Sequence, residues 1–488
     1  MRVFRYSIVP LLLLLLCSIQ GCGLAVRGTQ KATKEIAHSE LFWQGRHGEL
    51  SEQELEWAKI AWKYFVNNYH ADTGLVNGTD YFPPASVWNI ADTVAATLSA
   101  HYLDLIDDYE FDHRITPLLE FLNSMPLSYG QMPNAFYAAD TGEMSDGSGN
   151  GFGAGSDKEK GKDGNLQEDR AGWSAVDIGR LLIWLQNLRS YAPQYGEYID
   201  KAVLRWNFCK VIDDCGKLHG IHRNSNADPP SRYPDEPLGY QEYAQMGYVA
   251  WGFPQRKNPP ALPTVRIYDV ELPYSKEDSR NTGSSNPLVS TPYILQGLEF
   301  NWDQIDDQSS IDSYSSDHAA ADLAQRIYTV QEKRYRYERI FTARTEHRRM
   351  SEPYVLYDAI FSDGYAWNTL TLEGELHSDA ALVSTGAAFG MWALWQTSYT
   401  DGLMQLIRTL YDPERGWFEG RQEKDGAHDR TLSCATNAMV LEALYYKMHG
   451  KLYNVPEPQN YADIMLEDEF RRPACSPLDR EECSRGRK

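Results

Sequence analysis

Trp88-Asn-Ile-Ala-Asp92 and Trp173-Ser-Ala-Val-Asp177 each place an aspartate four residues after a tryptophan, a spacing that sets both side chains on one face of a helix. Each stretch follows a loop rich in Gly, Asp and aromatic residues and leads into a segment of small and apolar residues, over 87–108 and 172–188. The same plan recurs at 239–253, 290–300, 378–395 and 431–447. More charged helical segments lie between them, at 51–69, 111–124, 195–212, 317–346 and 400–411. The alternation predicts an all-α fold, an (α/α)6 toroid in which an outer ring of helices surrounds an inner one, with long loops at one end. Ser378-Asp-Ala-Ala-Leu-Val-Ser-Thr-Gly-Ala-Ala-Phe-Gly390 fits the inner ring, because small residues let backbones approach closely. A stacked solenoid would keep a nearly fixed short period, whereas the loops here vary widely in length. Within them, 265–272 alternates like extended chain, and the Gly- and Ser-rich loop 138–170 reads as a lid or a surface insertion.

The first residues read as an export signal: Arg2 and Arg5, an apolar run over 8–16, then Ser18-Ile-Gln-Gly21 before a cysteine. That junction resembles a bacterial lipobox. It implies a signal peptide over 1–21, lipidation at Cys22, a polar tether over 22–50, and a place in the bacterial cell envelope with the membrane reached through the lipid. Ser51-Glu-Gln-Glu54 has the form of a capping box and marks the start of a domain over 51–453, followed by a tail over 454–488. A net charge of −21 excludes a nucleic-acid partner, whose phosphates it would repel. The densest basic stretch, 344–349, reads as the solvated end of a charged helix. Cys209 with Cys215, and Cys475 with Cys483, read as disulfide pairs of an oxidising compartment. Metal ligation by the first pair with His219 and His222 is the alternative, without CxxC spacing to support it, and the expectation is no metal and no cofactor. Cys434 reads as a buried thiol.

In a toroid the loops preceding the inner helices gather at one end around a single cavity. Here those loops are dense in aromatics and carboxylates, which suits a polysaccharide or oligosaccharide. Trp88, Trp173, Tyr240, Tyr243, Trp367 and Trp417 offer faces for sugar rings, and Asp92, Glu236 and Glu373 offer hydrogen bonds to hydroxyls. Glycosidic cleavage needs one protonated carboxyl to donate to the leaving oxygen and a second, ionised, to activate water or attack. Glu242 is the candidate acid: it opens a helix among tyrosines, where burial raises its pKa against the pull of the helix N-terminus. For the base the chain offers Glu419, in Gly416-Trp-Phe-Glu-Gly420, and Asp177, with Asp92 behind them. Arg180, three residues beyond Asp177, offers that aspartate an ion pair instead. No GxSxG, Walker loop, HExxH or helix-opening GxGxxG points to other chemistry.

Trp62-Lys-Tyr-Phe, Thr73-Gly-Leu-Val76, Trp88-Asn-Ile-Ala, Asp363-Gly-Tyr-Ala-Trp367, Ser384-Thr-Gly-Ala-Ala-Phe-Gly390, Asp412-Pro-Glu-Arg-Gly-Trp-Phe-Glu-Gly420 and Thr436-Asn-Ala438 together resemble a bacterial family of exported proteins of unknown function. That family is similar to the six-hairpin, glucoamylase-like superfamily, which includes β-1,2-glucanases and the processing domains of cyclic glucan synthases. The resemblance implies an (α/α)6 fold and action on an envelope or extracellular polysaccharide; with the paired carboxylates the reading is a glycoside hydrolase acting on a polysaccharide such as a glucan, inversion being the expectation for the superfamily, and a non-catalytic glycan-binding or envelope-assembly protein on the same fold is the alternative. Glu242-Tyr243 looks like the Glu-Tyr pair that opens the third inner helix in the β-1,2-glucanases. One departure is Asn89, where the family commonly has aspartate after the first tryptophan.

Overall fold

The structure, a computed structural model, describes residues 45–147, 172–213, 215–222, 231–256, 259, 261–302 and 318–467. The signal, Cys22, most of the Gly-rich loop, Cys475 and Cys483 lie outside the described residues. Of two compact units, one consists of 1–44 and 307–316, outside that range; the other, 45–306 with 317–488, holds every element below.

Six helices form the inner ring: α2 (Val87–Tyr102), α4 (Ala175–Tyr191), α6 (Tyr240–Ala250), α7 (Thr291–Phe300), α9 (Thr385–Leu394) and α11 (Cys434–His449). Each packs on the next and α11 returns to α2, closing the ring. Five outer helices accompany them: α1 (Glu52–Asn67), α3 (Asp108–Ser124), α5 (Gly196–Val203), α8 (His318–Glu338) and α10 (Ser398–Ile407). Between α6 and α7 the place of an outer helix is taken by a hairpin, β1 (Thr264–Ile267) with β2 (Val270–Pro273), at the run expected to be extended.

Serine starts the ring. Ser86, Ser174, Ser384 and Ser433 each precede an inner helix, and their hydroxyls accept from the amides of Asn89, Asp177, Ala387 and Thr436 at 3.1–3.3 Å. Such a cap satisfies an orphan amide and contributes about 1 kcal/mol. Ser290 precedes α7 but accepts from the Gln331 side chain instead. At α6 the cap is Gly239, whose φ of 82° suits glycine, and a Cβ there would lie 2.8 Å from Pro292 and Tyr293.

Close approach within the ring is visible at Gly179 and Gly247, where a Cβ on Gly247 would lie 2.0 Å from the Gly179 carbonyl. In the run quoted above, a Cβ on Gly390 would meet Ile294 of α7 at 2.3 Å. Larger residues at these points would push the helices apart.

The packed body extends past both expected boundaries. Arg46 is buried and donates to the carbonyls of Trp392 and Trp395 at 2.6 and 2.9 Å, so residues from Gly45 belong to the fold. At the other end 451–464 crosses the C-terminal ends of the inner helices, with Leu452 bonded to Leu298, Tyr453 to Glu299 and Tyr461 to Trp251. Tyr461 and Ile464, on α12 (Tyr461–Glu467), are buried. The stretch 344–349 is also corrected: α8 stops at Glu338, Arg339 turns at φ 62°, and the chain re-enters the body as β3 (Glu346–Arg348). Arg344 is buried there, paired with Glu423.

Candidate active site

The inner helices begin at one end of the ring, and their third residues form its rim. Counting from the cap, that position is Asn89 on α2, Asp177 on α4, Glu242 on α6 and Thr436 on α11. A side chain at N3 reaches back toward the cap. Asn89 accepts from the Ser86 amide at 3.2 Å, Asp177 from the Ser174 hydroxyl at 3.1 Å and Glu242 from the Gly239 amide at 3.0 Å.

Asp177 is an accessible carboxyl with a large shift. It is only partly covered, yet desolvation and the neighbouring charge of Asp235 raise its pKa to about 7. Asp235 is held in place by the start of α4, accepting from the amides of Ala175 and Val176 at 2.6 and 3.2 Å and from the Ser174 hydroxyl at 3.1 Å. Arg180 does not pair with Asp177. It is buried under the rim, bonded to Asp92 at 2.9 Å, Glu299 at 2.7 Å, Glu442 at 2.8 Å and Tyr243 at 2.5 Å, with Trp88 lying over its guanidinium at 4.8 Å. Glu242 is exposed at the rim, and desolvation by its surroundings raises its pKa against the Gly239 amide and Arg256.

A small sheet supplies the facing wall. β3 pairs antiparallel with β4 (Val355–Asp358), which pairs with β5 (Thr369–Leu370), setting Glu346 opposite Tyr357 and Arg348 opposite Val355. Alternation puts His347 on the buried face, bonded to Asp358 at 2.9 Å, and Glu346, Arg348 and Tyr357 on the other. The charges of Glu346, Arg348, Asp177 and Glu373 all act on Tyr357, whose pKa desolvation raises, so these groups lie at the same end of the ring. Tyr240 is half-exposed between Glu346 and Trp88, its ring edge-on to Trp88 at 5.5 Å. Among the described residues the Arg348 guanidinium makes no ion pair or hydrogen bond.

Several expected site residues belong instead to the core. Trp173 and Trp417 are buried, their indole N–H groups bonded to the carbonyls of His219 and Trp57, so neither offers a face to sugar. Tyr243 is buried and donates to Glu299 at 2.7 Å, and Asp92, 1% exposed, is occupied by Arg180. Trp367 is partly exposed but sandwiched between Arg334 at 4.4 Å and the stacked ring of Tyr268 at 6.2 Å. Glu419, 3% exposed, accepts from the hydroxyls of Ser433 and Thr436 at 2.5 and 2.7 Å and from the Arg348 amide at 2.8 Å. It clips β3 to the start of α11 and meets no solvent, which removes it as a base. Glu236 sits on the rim, paired with Lys217 and Arg256. Trp88, Tyr240, Asp177, Glu242 and Glu373 keep access to solvent. Sequence reasoning missed Glu346, Arg348 and Tyr357; the serine three residues before Asn89 and Asp177 was a usable signal for the rim, while the strands are too short to announce themselves.

Cys209 and Cys215 are both disulfide-bonded, which takes them out of metal ligation, and Cys434 is a buried free thiol. Among the described residues no group of three or more His, Cys, Asp or Glu is placed to hold a metal ion, and no helix is long and apolar enough to cross a membrane.

The inner ring and its outer helices define a six-hairpin, (α/α)6 fold. The chain belongs to the DUF3131 family of proteins of unknown function, whose model matches residues 56–450. No curated protein matches it in sequence. Its fold is similar to that of a putative glucoamylase from Bacteroides caccae, at 11% identity and a TM-score of 0.57 over 86% of this chain and 98% of the other. It is likewise similar to the endo-β-1,2-glucanase of Chitinophaga pinensis, solved with sophorotriose and glucose, at 12% identity and a TM-score of 0.54 over 86% and 98%. The β-1,2-glucanase of Parabacteroides distasonis matches at 13% identity and a TM-score of 0.54, over 88% of this chain and 61% of the other.

Proposed function

We propose that the protein is an exported, lipid-anchored glycoside hydrolase that cleaves a glucan in the recess at the start of the inner helices. The observation that carries this is Asp177: an accessible rim carboxyl whose pKa burial and Asp235 raise to about 7, near enough to Tyr357 that its charge and that of Glu346 both act on that hydroxyl. A carboxyl with that pKa is still protonated near neutrality and suits donation to a leaving glycosidic oxygen. Glu346 takes the role of the second carboxyl, drawing the proton from an attacking water. Trp88, Tyr240 and Tyr357 present aromatic surface to sugar rings, and Glu242 and Glu373 bond hydroxyls around them. Arg348, unpaired beside Asp177, returns the donor's anion to a tolerable energy once the proton has left. Fold likeness to endo-β-1,2-glucanases supports a β-glucan as the first substrate to try.

The test is turnover of a glycan panel, β-1,2-glucan included, by the soluble part of wild type, Asp177→Asn and Glu346→Gln. Wild-type release of reducing ends that both substitutions abolish is the expected result. Binding of a glycan by wild type without any release sinks the hydrolase and leaves a glycan-binding protein. Metabolic labelling with a clickable fatty acid, lost in Cys22→Ser, checks the anchor.

A further inference from the structure

Among the described residues, strand β3 is paired along one edge alone, to β4. On its other edge the Arg348 amide donates to a side chain instead of a strand, Glu419 accepting it at 2.8 Å. The second oxygen of that carboxylate takes the hydroxyls of Ser433, the cap of α11, and of Thr436, three residues further on. Each oxygen thus serves a different element, and Glu419 ties β3 to the start of an inner helix.

The backbone is shaped to present this carboxylate. Strand Gly416–Gln422 pairs with strand His428–Leu432 in a register that slips at Glu419, which lies opposite two residues, Arg430 and Thr431, where regular pairing sets one. Such a bulge re-aims a side chain, and Glu419 is only 3% exposed. A buried carboxylate is a costly way to fill space, so its bonds rather than its bulk account for it.

The group that the clip holds reaches far. The charge of Arg348 acts on Asp92 of α2, Asp177 of α4, Tyr357 of β4 and Cys434 of α11, which puts the guanidinium within electrostatic range of three inner helices and the facing wall. Glu346, two residues earlier on the same face of β3, moves with it. We infer that Glu419 is a positioning residue: its hold on the Arg348 amide fixes where the Arg348 guanidinium and the Glu346 carboxylate stand relative to Asp177. The parts of Glu346 and Arg348 in cleavage rest on the hydrolase reading; the placement of Arg348 by Glu419 does not.

The experiment reads the pH at which Asp177 titrates, by carboxyl NMR of the full chain isotope-labelled at aspartate, the signal being assigned by its loss in Asp177→Asn. Two charges act on Asp177 in opposite senses, Asp235 raising its pKa and Arg348 lowering it. In Glu419→Gln the amide end brings a donor where an acceptor is needed, so the side chain cannot serve both α11 and β3. With Arg348 released, Asp177 is expected to titrate at higher pH. Loss of the Glu419 charge by itself acts the other way, so the sign of the change separates the two. Arg348→Met is expected to raise the titration as well, and adding Glu419→Gln to it to raise it no further. On a glycan that the wild type cleaves, Glu419→Gln should lower kcat on the order of 10²-fold with KM little changed. A folded Glu419→Gln in which Asp177 titrates at or below the wild-type pH overturns the positioning role, and so does an equal rise in the Arg348→Met background. If thermal unfolding shows that Glu419→Gln does not fold, Thr436→Val, which removes one of the carboxylate's anchors on α11, takes its place under the same criteria, with a smaller rise expected. Failure to cleave any glycan removes the hydrolase reading and leaves the titration to decide the placement of Arg348.

Discussion

The first turns of α2 and α4 carry the same Trp-to-Asp spacing, yet their aspartates meet opposite fates. Asp92 lies buried against Arg180, bonded also by the Asn89 amide at 3.2 Å. Asp177 stands at the rim, unpaired by any arginine and partly protonated near neutrality. The difference lies in where each helix begins. Trp88 is already inside α2, whereas Trp173 precedes the cap Ser174, so the two motifs are three residues out of step along their helices. The structural counterpart of Asp177 is Asn89, not Asp92. An aspartate six residues into an inner helix looks down the ring toward the buried cluster; one at the third residue looks out.

The largest effect should come from breaking the buried side of this contrast. Arg180→Met leaves Asp92, Glu299 and Glu442 without their shared cation, and stability should fall by about 3–5 kcal/mol or more, read from denaturant unfolding. An unchanged midpoint would mean that the three carboxyls simply take up protons, a state toward which burial already pushes Glu299 and Glu442.

Next comes the rim. Asp177→Asn should lower kcat by about 10²–10⁴-fold, the usual contribution of a general acid, without lowering stability at neutral pH. The direction of its pH dependence follows from linkage. The folded carboxyl holds its proton up to about pH 7, while the ordinary value is 3.8, so between those values the folded chain binds more protons and stability falls as pH rises. That fall should vanish in Asp177→Asn, measured by thermal unfolding from pH 4 to 8. In wild type, kcat/KM should decline above about pH 7. Asp235→Asn, which removes a like charge beside Asp177, should move that decline to lower pH.

The smallest effect tests the register itself. Asn89→Asp places a carboxyl at the α2 rim beside Asp92, and should destabilise the fold by roughly 1 kcal/mol while raising the pH at which Asp177 ionises. If Asn89 were instead remote from Asp177, the pH profile would not move.

The ring was legible because its inner helices need small residues at close approaches, and such runs stand out against charged outer helices. The depth of each residue in its helix was not legible from tryptophan, since Trp173 is a core residue before the cap and Trp88 a rim residue after it. Serine was the better marker. The wall opposite Asp177 was hidden for another reason: α8 ends without a glycine, Arg339 supplying the left-handed turn, so charge continuing past it looked like more helix. Glu346 and Arg348 acquire their role only through pairing with a strand that begins seven residues beyond Arg348. Glu419 misled because an exposed-looking turn in sequence is a buried strand, β7 (Gly416–Gln422), paired with β6 (Leu382–Ser384).

Both ends of the described body come away from the same side. Arg46 is fastened to the end of α9 and the start of α10, Gly48 bonds Lys447 at the end of α11, and 451–464 crosses the ends of α7, α4 and α6. The end of the ring opposite the rim is thus strapped over by chain from before α1 and from after α11, and the rim is the end those straps leave uncrossed.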